Sequence, residues 1–142
     1  MLQCLNRIFH LRPDNKHVTI LVIDDSEVDQ KIVGSAVRRG GYSLLTAYDG
    51  TSGIALAHQH KPNLIVLDYN LPDIQGPEVC KLLKNEEDTR KIPVLFLTSL
   101  TSPGSIIDCY EQGAENYLAK PIKPKFFLKQ IDQALKDHKD QE

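Results

Sequence analysis

The chain has 142 residues, of which 41% are hydrophobic and 25% are charged, and its formal net charge is −2. This length suits one domain, and the apolar share is sufficient for an ordinary core, which argues against wholesale disorder. The slight excess of acid argues against a nucleic-acid binder, because such proteins usually carry a basic face. No apolar run approaches the roughly 20 residues that span a bilayer.

Residues 1–17 precede the first predicted strand, and we expect them to form an N-terminal extension. Leu2, Leu5, either Ile8 or Phe9, and Leu11 follow helical spacing. Three interpretations are open: a helix packed on the domain or on a second copy, a disordered leader, or a docking segment for a partner or a membrane surface. The segment lacks the apolar stretch of a secretory signal, so a cytoplasmic protein is expected.

Three cysteines are widely spaced and form no CxxC pair. This pattern is typical of buried, reduced thiols rather than of a disulfide framework or a metal site. The three residues are Cys4, Cys80 and Cys109.

Five short apolar runs predict strands at residues 18–23, 43–47, 63–67, 93–97 and 115–118. The first, third and fourth runs are almost continuously hydrophobic, as parallel strands are when helices cover both faces of a sheet.

Segments with helical spacing follow each run. Their apolar stripes are Val28, Ile32 and Ala36; Ile54 and Ala57; Val79, Leu82 and Leu83; Ile106, Cys109 and Tyr110; and Phe127, Ile131, Ala134 and Leu135. Helix ends are marked by Gly40, Gly41, Pro62 and Gly113, and first turns by Pro103 and Pro124. Strands that alternate with helices predict an α/β fold with a parallel sheet, in which ligands bind at the carboxyl ends of the strands.

Polar side chains follow the strands at that edge. In chain order they are Asp24 and Asp25, Asp68, Thr98 with Ser99, and Lys120 with Pro121. Each has an alternative interpretation on its own, since an aspartate can cap a helix or a turn, a threonine can be a strand residue and a lysine can be a solvated charge. Together, several carboxylates at one edge repel one another and need a cation. Hard oxygen ligands of this kind suit Mg²⁺.

Four segments resemble the receiver domain of bacterial two-component response regulators. They are residues 20–25 (ILVIDD), 65–73 (IVLDYNLPD) with Gly76, 96–99 (FLTS) and 117–121 (YLAKP). The resemblance covers about residues 18–138 and leaves 139–142 as a C-terminal tail. It implies a chemotaxis-regulator-like, flavodoxin-like doubly wound (βα)5 fold with a five-stranded parallel sheet in the order 2-1-3-4-5.

The resemblance assigns a phosphoryl acceptor and a metal site. Asp68 would accept a phosphoryl group from a sensor histidine kinase or a phosphotransfer protein, since a carboxylate is a competent nucleophile toward phosphorus. Asp25 and Asp68 would bind Mg²⁺ directly, Asp24 mainly through a bound water, and Asn70 through its backbone carbonyl.

The resemblance also implies how the phosphoryl group is held and sensed. Thr98 and Lys120 would each contact a phosphoryl oxygen, and a cis bond before Pro121 would aim Lys120 into the site. Thr98 would then move toward the phosphoryl group and Tyr117 would rotate inward. This switch would remodel the face of the fourth helix, fifth strand and fifth helix. Ser99 stands where many receivers carry Ala or Gly, which leaves the phosphoaspartate lifetime open.

The implied function is two-component phosphorelay signalling through phosphorylation-dependent contact with a downstream protein. We expect no DNA-binding output domain and no nucleic-acid or membrane partner. We also expect no enzymatic activity beyond assistance to the protein's own phosphorylation and dephosphorylation. The possibility of a homodimer is left open. Two alternatives are an Asp-nucleophile phosphatase, although such enzymes favour Asp-x-Asp over adjacent aspartates, and a receiver-like scaffold that phosphate does not control.

Overall fold

The computed structural model describes residues 15–140, in which strands and helices alternate. Strands β1 to β5 span Asn15–Ile23, Tyr42–Ala47, Leu64–Leu67, Val94–Thr98 and Asn116–Ala119. Helices α1 to α5 span Glu27–Arg39, Gly50–His60, Gly76–Lys84, Pro103–Glu111 and Pro124–Asp140. The five predicted strands are confirmed, with ends displaced by three residues at most.

Both predicted domain boundaries fall inside regular elements, because β1 includes residues 15–17 and α5 includes residues 139–140. The predicted extension before residue 15, with Cys4, and the last two residues of the predicted tail lie outside the described residues. Within the part of the chain that the structure describes, no helix combines the length and the apolar character needed to cross a membrane.

All strand pairs in the sheet are parallel, and the strand order is β2-β1-β3-β4-β5. This order confirms the doubly wound fold that the resemblance implied. The order of the strands reverses at β1, because β2 lies on one side of it and β3, β4 and β5 lie on the other. Ligands of such sheets bind at the carboxyl edge near this point.

Consecutive strand residues are buried on opposite faces of the sheet. Leu21 and Ile23 of β1 pack into a cluster with residues of α2, α3 and α4, whereas Ile20 and Val22 pack into a second cluster with residues of α1 and α5. Because side chains alternate along a strand, two covered faces require apolar residues at every position. This is the physical origin of the continuous runs in β1, β3 and β4.

Helix α1 buries a different stripe from the predicted one. Val28 is 67% exposed and Ile32 is 43% exposed, while Val33, Ala36 and Val37 are buried. Steps of four residues drift by about 40° per step at 3.6 residues per turn. The predicted line therefore runs obliquely across the helix and only its last member reaches the core.

The predicted helix punctuation is confirmed. Pro103 and Pro124 are the first residues of α4 and α5, and Gly40 is the C-cap of α1. Gly41 and Gly113 have φ values of 84° and 100°, a region that only glycine enters without strain.

Candidate functional site

Backbone hydrogen bonds extend the sheet just beyond its strands and set the frame of the site. The amide of Asp24 donates to the Ala47 carbonyl (3.0 Å), and the amide of Asp68 donates to the Ile23 carbonyl (3.0 Å). The loops after β1 and β3 therefore start side by side. On the other side, the Lys120 amide donates to the Thr98 carbonyl at 2.9 Å.

Three carboxylates converge at this edge. Asp24, Asp25 and Asp68 each offer an oxygen, and these oxygens lie within 4.8 Å of one another. Asp24 and Asp68 are only 3% and 8% exposed, whereas Asp25 faces solvent. Such a set of hard oxygen donors fits a divalent cation of the Mg²⁺ type, with room for water on the exposed side. Asn70, the fourth ligand that the resemblance implies, is exposed in the loop after β3.

Lys120 lies among the carboxylates and is mostly buried. Its Nζ is 2.8 Å from Asp29 Oδ2, 2.9 Å from Asp24 Oδ2 and 3.0 Å from Asp68 Oδ2. Burial by itself lowers the pKa of Lys120, but the hydrogen bonds that its ammonium donates to the three carboxylates outweigh this effect and raise the pKa. The peptide bond between Lys120 and Pro121 is cis, which is the geometry that the resemblance implies.

Burial and hydrogen bonding shift the pKa of Asp24 in opposite directions. Desolvation raises the pKa of Asp24, hydrogen bonds from Lys120 and from the Ser26 amide lower it, and the nearby charge of Asp68 raises it again. The balance is a pKa above the ordinary value. The side chain that caps α1 is Ser26, whose Oγ accepts from the Asp29 amide at 3.2 Å, so neither aspartate at positions 24 and 25 serves as the N-cap residue.

Gln30 also supports the backbone of the site, although no sequence pattern singled it out. Its Nε2 donates to the carbonyls of Val22, Asp24 and Ala47 at 3.1, 3.0 and 2.9 Å. One buried amide thus joins α1 to the ends of β1 and β2. Its Oε1 is buried without a hydrogen-bond partner among the described residues.

The loop after β3 is fitted closely around Asp68. The Tyr69 amide donates to Asp68 Oδ1 at 2.7 Å, and the Gly76 amide donates to the Tyr69 carbonyl at 2.7 Å. A Cβ on Gly76 would lie 2.3 Å from the Asp68 carbonyl oxygen. A side chain at position 76 would therefore disturb the backbone that carries Asp68.

The far end of the same loop is fixed to α2. The two oxygens of Asp73 accept from the amides of Gly50 (2.7 Å) and Thr51 (2.8 Å) and from the Thr51 hydroxyl (2.6 Å). Carboxylates are stabilised at helix N-termini by these free amides. Hydrogen bonds from Thr51 and Gly50 hold the pKa of Asp73 well below its ordinary value.

Thr98, the last residue of β4, and Ser99, which follows it, differ in exposure. Thr98 is 1% exposed and its Oγ1 accepts from the Leu100 amide at 3.3 Å, whereas Ser99 is exposed. The hydroxyl of Thr98 is thus already engaged by the loop that leads to α4.

Tyr117 lies on β5 next to Phe96 of β4, and the two rings are stacked with centroids 6.5 Å apart. Its hydroxyl is buried and has no hydrogen-bond partner among the described residues. Burial raises the pKa of Tyr117, with smaller contributions from Cys109, Tyr69 and Asp68. The hydroxyl therefore already points inward in this structure.

Tyr69 connects the loop after β3 to α4. Its hydroxyl donates to Asp108 Oδ2 at 3.1 Å, while its backbone amide holds Asp68. Burial, followed by the hydrogen bond to Asp108 and the charge of Asp108, raises the pKa of Tyr69. Tyr69 directly follows Asp68 in the sequence, but no sequence pattern indicates a partner 39 residues away.

Comparison with known proteins identifies close likenesses in sequence and structure. A family model described as the response regulator receiver domain matches residues 20–132. The polar-differentiation response regulator DivK of Brucella ovis is 32% identical over 119 residues, which are 84% of this chain and 97% of that protein.

Two solved structures extend the likeness. The chemotaxis protein CheY4 of Vibrio cholerae is 30% identical with a TM-score of 0.78, and the match covers 82% of this chain and 98% of CheY4. The receiver domain of the sensor histidine kinase PA1611 of Pseudomonas aeruginosa, solved with a magnesium ion in its active-site cleft, is 25% identical with a TM-score of 0.78, covering 83% of this chain and 97% of that one.

Proposed function

The chain belongs to the response regulator receiver family of two-component phosphorelay signalling, and we propose that Asp68 is its phosphoacceptor. The observation that carries this proposal is the surroundings of the Asp68 carboxylate. Its Oδ2 lies 3.0 Å from the Lys120 ammonium, its Oδ1 accepts from the Tyr69 amide, and two further carboxylates lie beside it. A nucleophile, a fixed positive charge and a metal-binding acid pair are the parts that phosphoryl transfer needs.

The transfer exchanges one bond to phosphorus for another. An Asp68 carboxylate oxygen attacks the phosphorus of a phosphohistidine on the partner, and a new O–P bond forms. The P–N bond breaks, and its electron pair stays on the imidazole nitrogen. Lys120 offsets the negative charge on the phosphoryl oxygens, while the Tyr69 amide keeps the carboxylate in place.

Asp24, Asp25 and Asp68, with the backbone carbonyl of Asn70, would hold Mg²⁺. The support is the chemistry and the closeness of the three carboxylates, together with the magnesium ion in the PA1611 receiver. When bound, Mg²⁺ supplies positive charge that offsets the phosphoryl oxygens. The acid pair would thereby add a second positive charge, beside that of Lys120, to offset the same phosphoryl oxygens.

Receiver domains exchange signals with histidine kinases or phosphotransfer proteins and with effectors. For this chain we propose that the effector binds the face of α4, β5 and α5, and that Thr98 and Tyr117 report the phosphorylated state to it. The support is positional: Thr98 contacts the loop that leads to α4, and Tyr117 lies on β5 against Phe96.

Intact-mass spectrometry after incubation with acetyl phosphate and Mg²⁺ tests the proposed phosphoacceptor. The wild type should gain the mass of one phosphoryl group, and Asp68→Asn should gain none. Asp88→Asn, which changes an exposed aspartate in the loop after α3, serves as the matched control and should be phosphorylated like the wild type. A wild type that gains no phosphate, or an Asp68→Asn variant that still gains it, contradicts the proposal.

A further inference from the structure

The ammonium of Lys120 has no free hydrogen-bond donor. A lysine carries three N–H groups, and Asp29, Asp24 and Asp68 each accept one, at 2.8, 2.9 and 3.0 Å. A phosphoryl oxygen can therefore reach this ammonium only by displacing one of the three carboxylates.

The three carboxylates differ in what else can hold them. Asp24 and Asp68 belong to the group of oxygens that fits a divalent cation, whereas Asp29 does not. A cation in that site would compete with Lys120 for Asp24 and Asp68 but not for Asp29. Asp29 stands on the first turn of α1, and its side chain is 33% exposed, so Lys120 is its charged partner among the described residues.

Asp29 also lies close to the reacting carboxylate. Since Lys120 Nζ is 2.8 Å from Asp29 Oδ2 and 3.0 Å from Asp68 Oδ2, these two oxygens are at most about 5.8 Å apart. Three carboxylates thus surround one ammonium, and a fourth, that of Asp25, lies beside two of them. A phosphoryl donor brings more negative charge into a place where negative charge is already in excess.

We propose that Asp29 is a positioning residue that competes with the phosphoryl group for Lys120 and thereby slows the phosphorylation of Asp68. The proposal rests on the proposed function, because it takes Asp68 as the phosphoacceptor. Asp29 holds the ammonium toward α1 in the unphosphorylated protein, and phosphorylation requires Lys120 to exchange a partner.

Asp29→Asn is the sharpest perturbation, because the amide keeps an acceptor oxygen at the same place and removes the charge. Glu27→Gln is its matched control: it removes an exposed carboxylate from the same helical turn and gives the same net charge. Asp29→Ser, a second neutral variant, carries the same expectation should the asparagine variant fail to fold.

The first readout is the rate of phosphorylation by acetyl phosphate at saturating Mg²⁺, followed by intact mass. One charge removed at about 5.8 Å through a mostly aqueous medium corresponds to a change of about threefold to tenfold. Asp29→Asn should be faster than the wild type by this factor, and Glu27→Gln should match the wild type.

The second readout is Mg²⁺ binding measured by calorimetry in the absence of any phosphodonor. Loss of a nearby negative charge should weaken Mg²⁺ binding by Asp29→Asn by about twofold or more. Faster phosphorylation together with weaker Mg²⁺ binding is a combination that a merely damaged site would not give.

Equal or slower phosphorylation of Asp29→Asn, in a variant whose thermal unfolding matches the wild type, overturns the inference. So does an equal acceleration in Glu27→Gln, since the effect would then come from net charge. If the wild type itself gains no phosphate, the proposed function has failed and this inference falls with it; if only the Asp29 variants miss their expected rates, the proposed function stands.

Discussion

A methyl group added at Gly76 should destabilise the protein and disturb the site at the same time. The added Cβ would lie 2.3 Å from the Asp68 carbonyl oxygen, 2.9 Å from the Tyr69 Cα and 2.9 Å from the Phe96 ring. Two of these three atoms belong to the backbone, so no side-chain rotation can relieve the contact.

The size of the effect follows from the distance that must be recovered. Carbon and oxygen atoms approach to about 3.3 Å at their closest, so the chain must open by about 1 Å. Overpacking of this kind typically costs about 1–3 kcal/mol. Alanine is favoured over glycine in a helix by about 0.5–1 kcal/mol, but Gly76 is the first residue of α3 and gains little of this. We expect a loss of about 2 kcal/mol in the free energy of unfolding.

Urea unfolding of Gly76→Ala and Gly104→Ala gives a matched comparison. Gly104 is the second residue of α4, and a Cβ there meets nothing within 4 Å. The same chemical change should therefore stabilise the protein slightly, by up to about 0.5 kcal/mol. Gly76→Ala should also be phosphorylated more slowly, because the Asp68 backbone has moved.

The reasoning is refuted if the two variants shift the unfolding midpoint in the same direction, or if they differ by less than about 0.5 kcal/mol. A Gly76→Ala variant that is destabilised yet phosphorylated at the wild-type rate would support the packing argument and contradict the expectation that position 76 affects Asp68.

Three further predictions concern buried polar groups. Burial raises the pKa of Asp24 in the folded state, so the ionisation of this carboxyl group opposes folding above that pKa. Asp24→Asn should therefore be more stable than the wild type in Mg²⁺-free urea titrations at pH 7. The difference in the free energy of unfolding should shrink as the pH falls through the folded-state pKa. Tyr117→Phe removes a buried hydroxyl without a partner and should raise the free energy of unfolding by about 1 kcal/mol, and a loss of stability would show that the hydroxyl is satisfied. Burial raises the pKa of Cys80 to about 11 and that of Cys109 to about 12, so neither should react with iodoacetamide at pH 8 until urea is added, as peptide mass spectrometry would show.

The sequence predicted the strands and the strand-end residues because both depend on short-range patterns. Continuous apolar runs arise when a strand is covered on two faces, and the loops that follow such strands meet at one edge by topology alone. Asp24, Asp68 and Lys120 therefore came together as expected. The predicted burial of Cys80 and Cys109 is likewise confirmed.

Asp29 and Gln30, which the sequence did not single out, face the site because of how α1 is rotated about its axis. Asp29 reads as an ordinary acid in a first helical turn, and Gln30 as a surface amide. Which of them faces the sheet depends on the orientation of α1, and the misassigned stripe of Val28 and Ile32 pointed the wrong way. A stripe centred on Val33 and Val37 would have predicted that Gln30, which lies about one helical turn before Val33, faces the sheet. The contact between Tyr69 and Asp108 joins distant segments, and no local pattern encodes it.

Because of the Asp73 carboxylate, the loop after β3 is attached to its neighbours more firmly than the loop after β4. Three hydrogen bonds of 2.8 Å or less join the far end of the Asp68 loop to α2, and those from Thr51 and Gly50 hold the pKa of Asp73 well below its ordinary value. At the start of the loop after β4, the Leu100 amide donates a longer hydrogen bond, of 3.3 Å, to Thr98 Oγ1. The Asp68 loop is therefore tied firmly to α2, and we expect a displacement produced at the sheet edge to move the α4 side and to leave the α2 side in place.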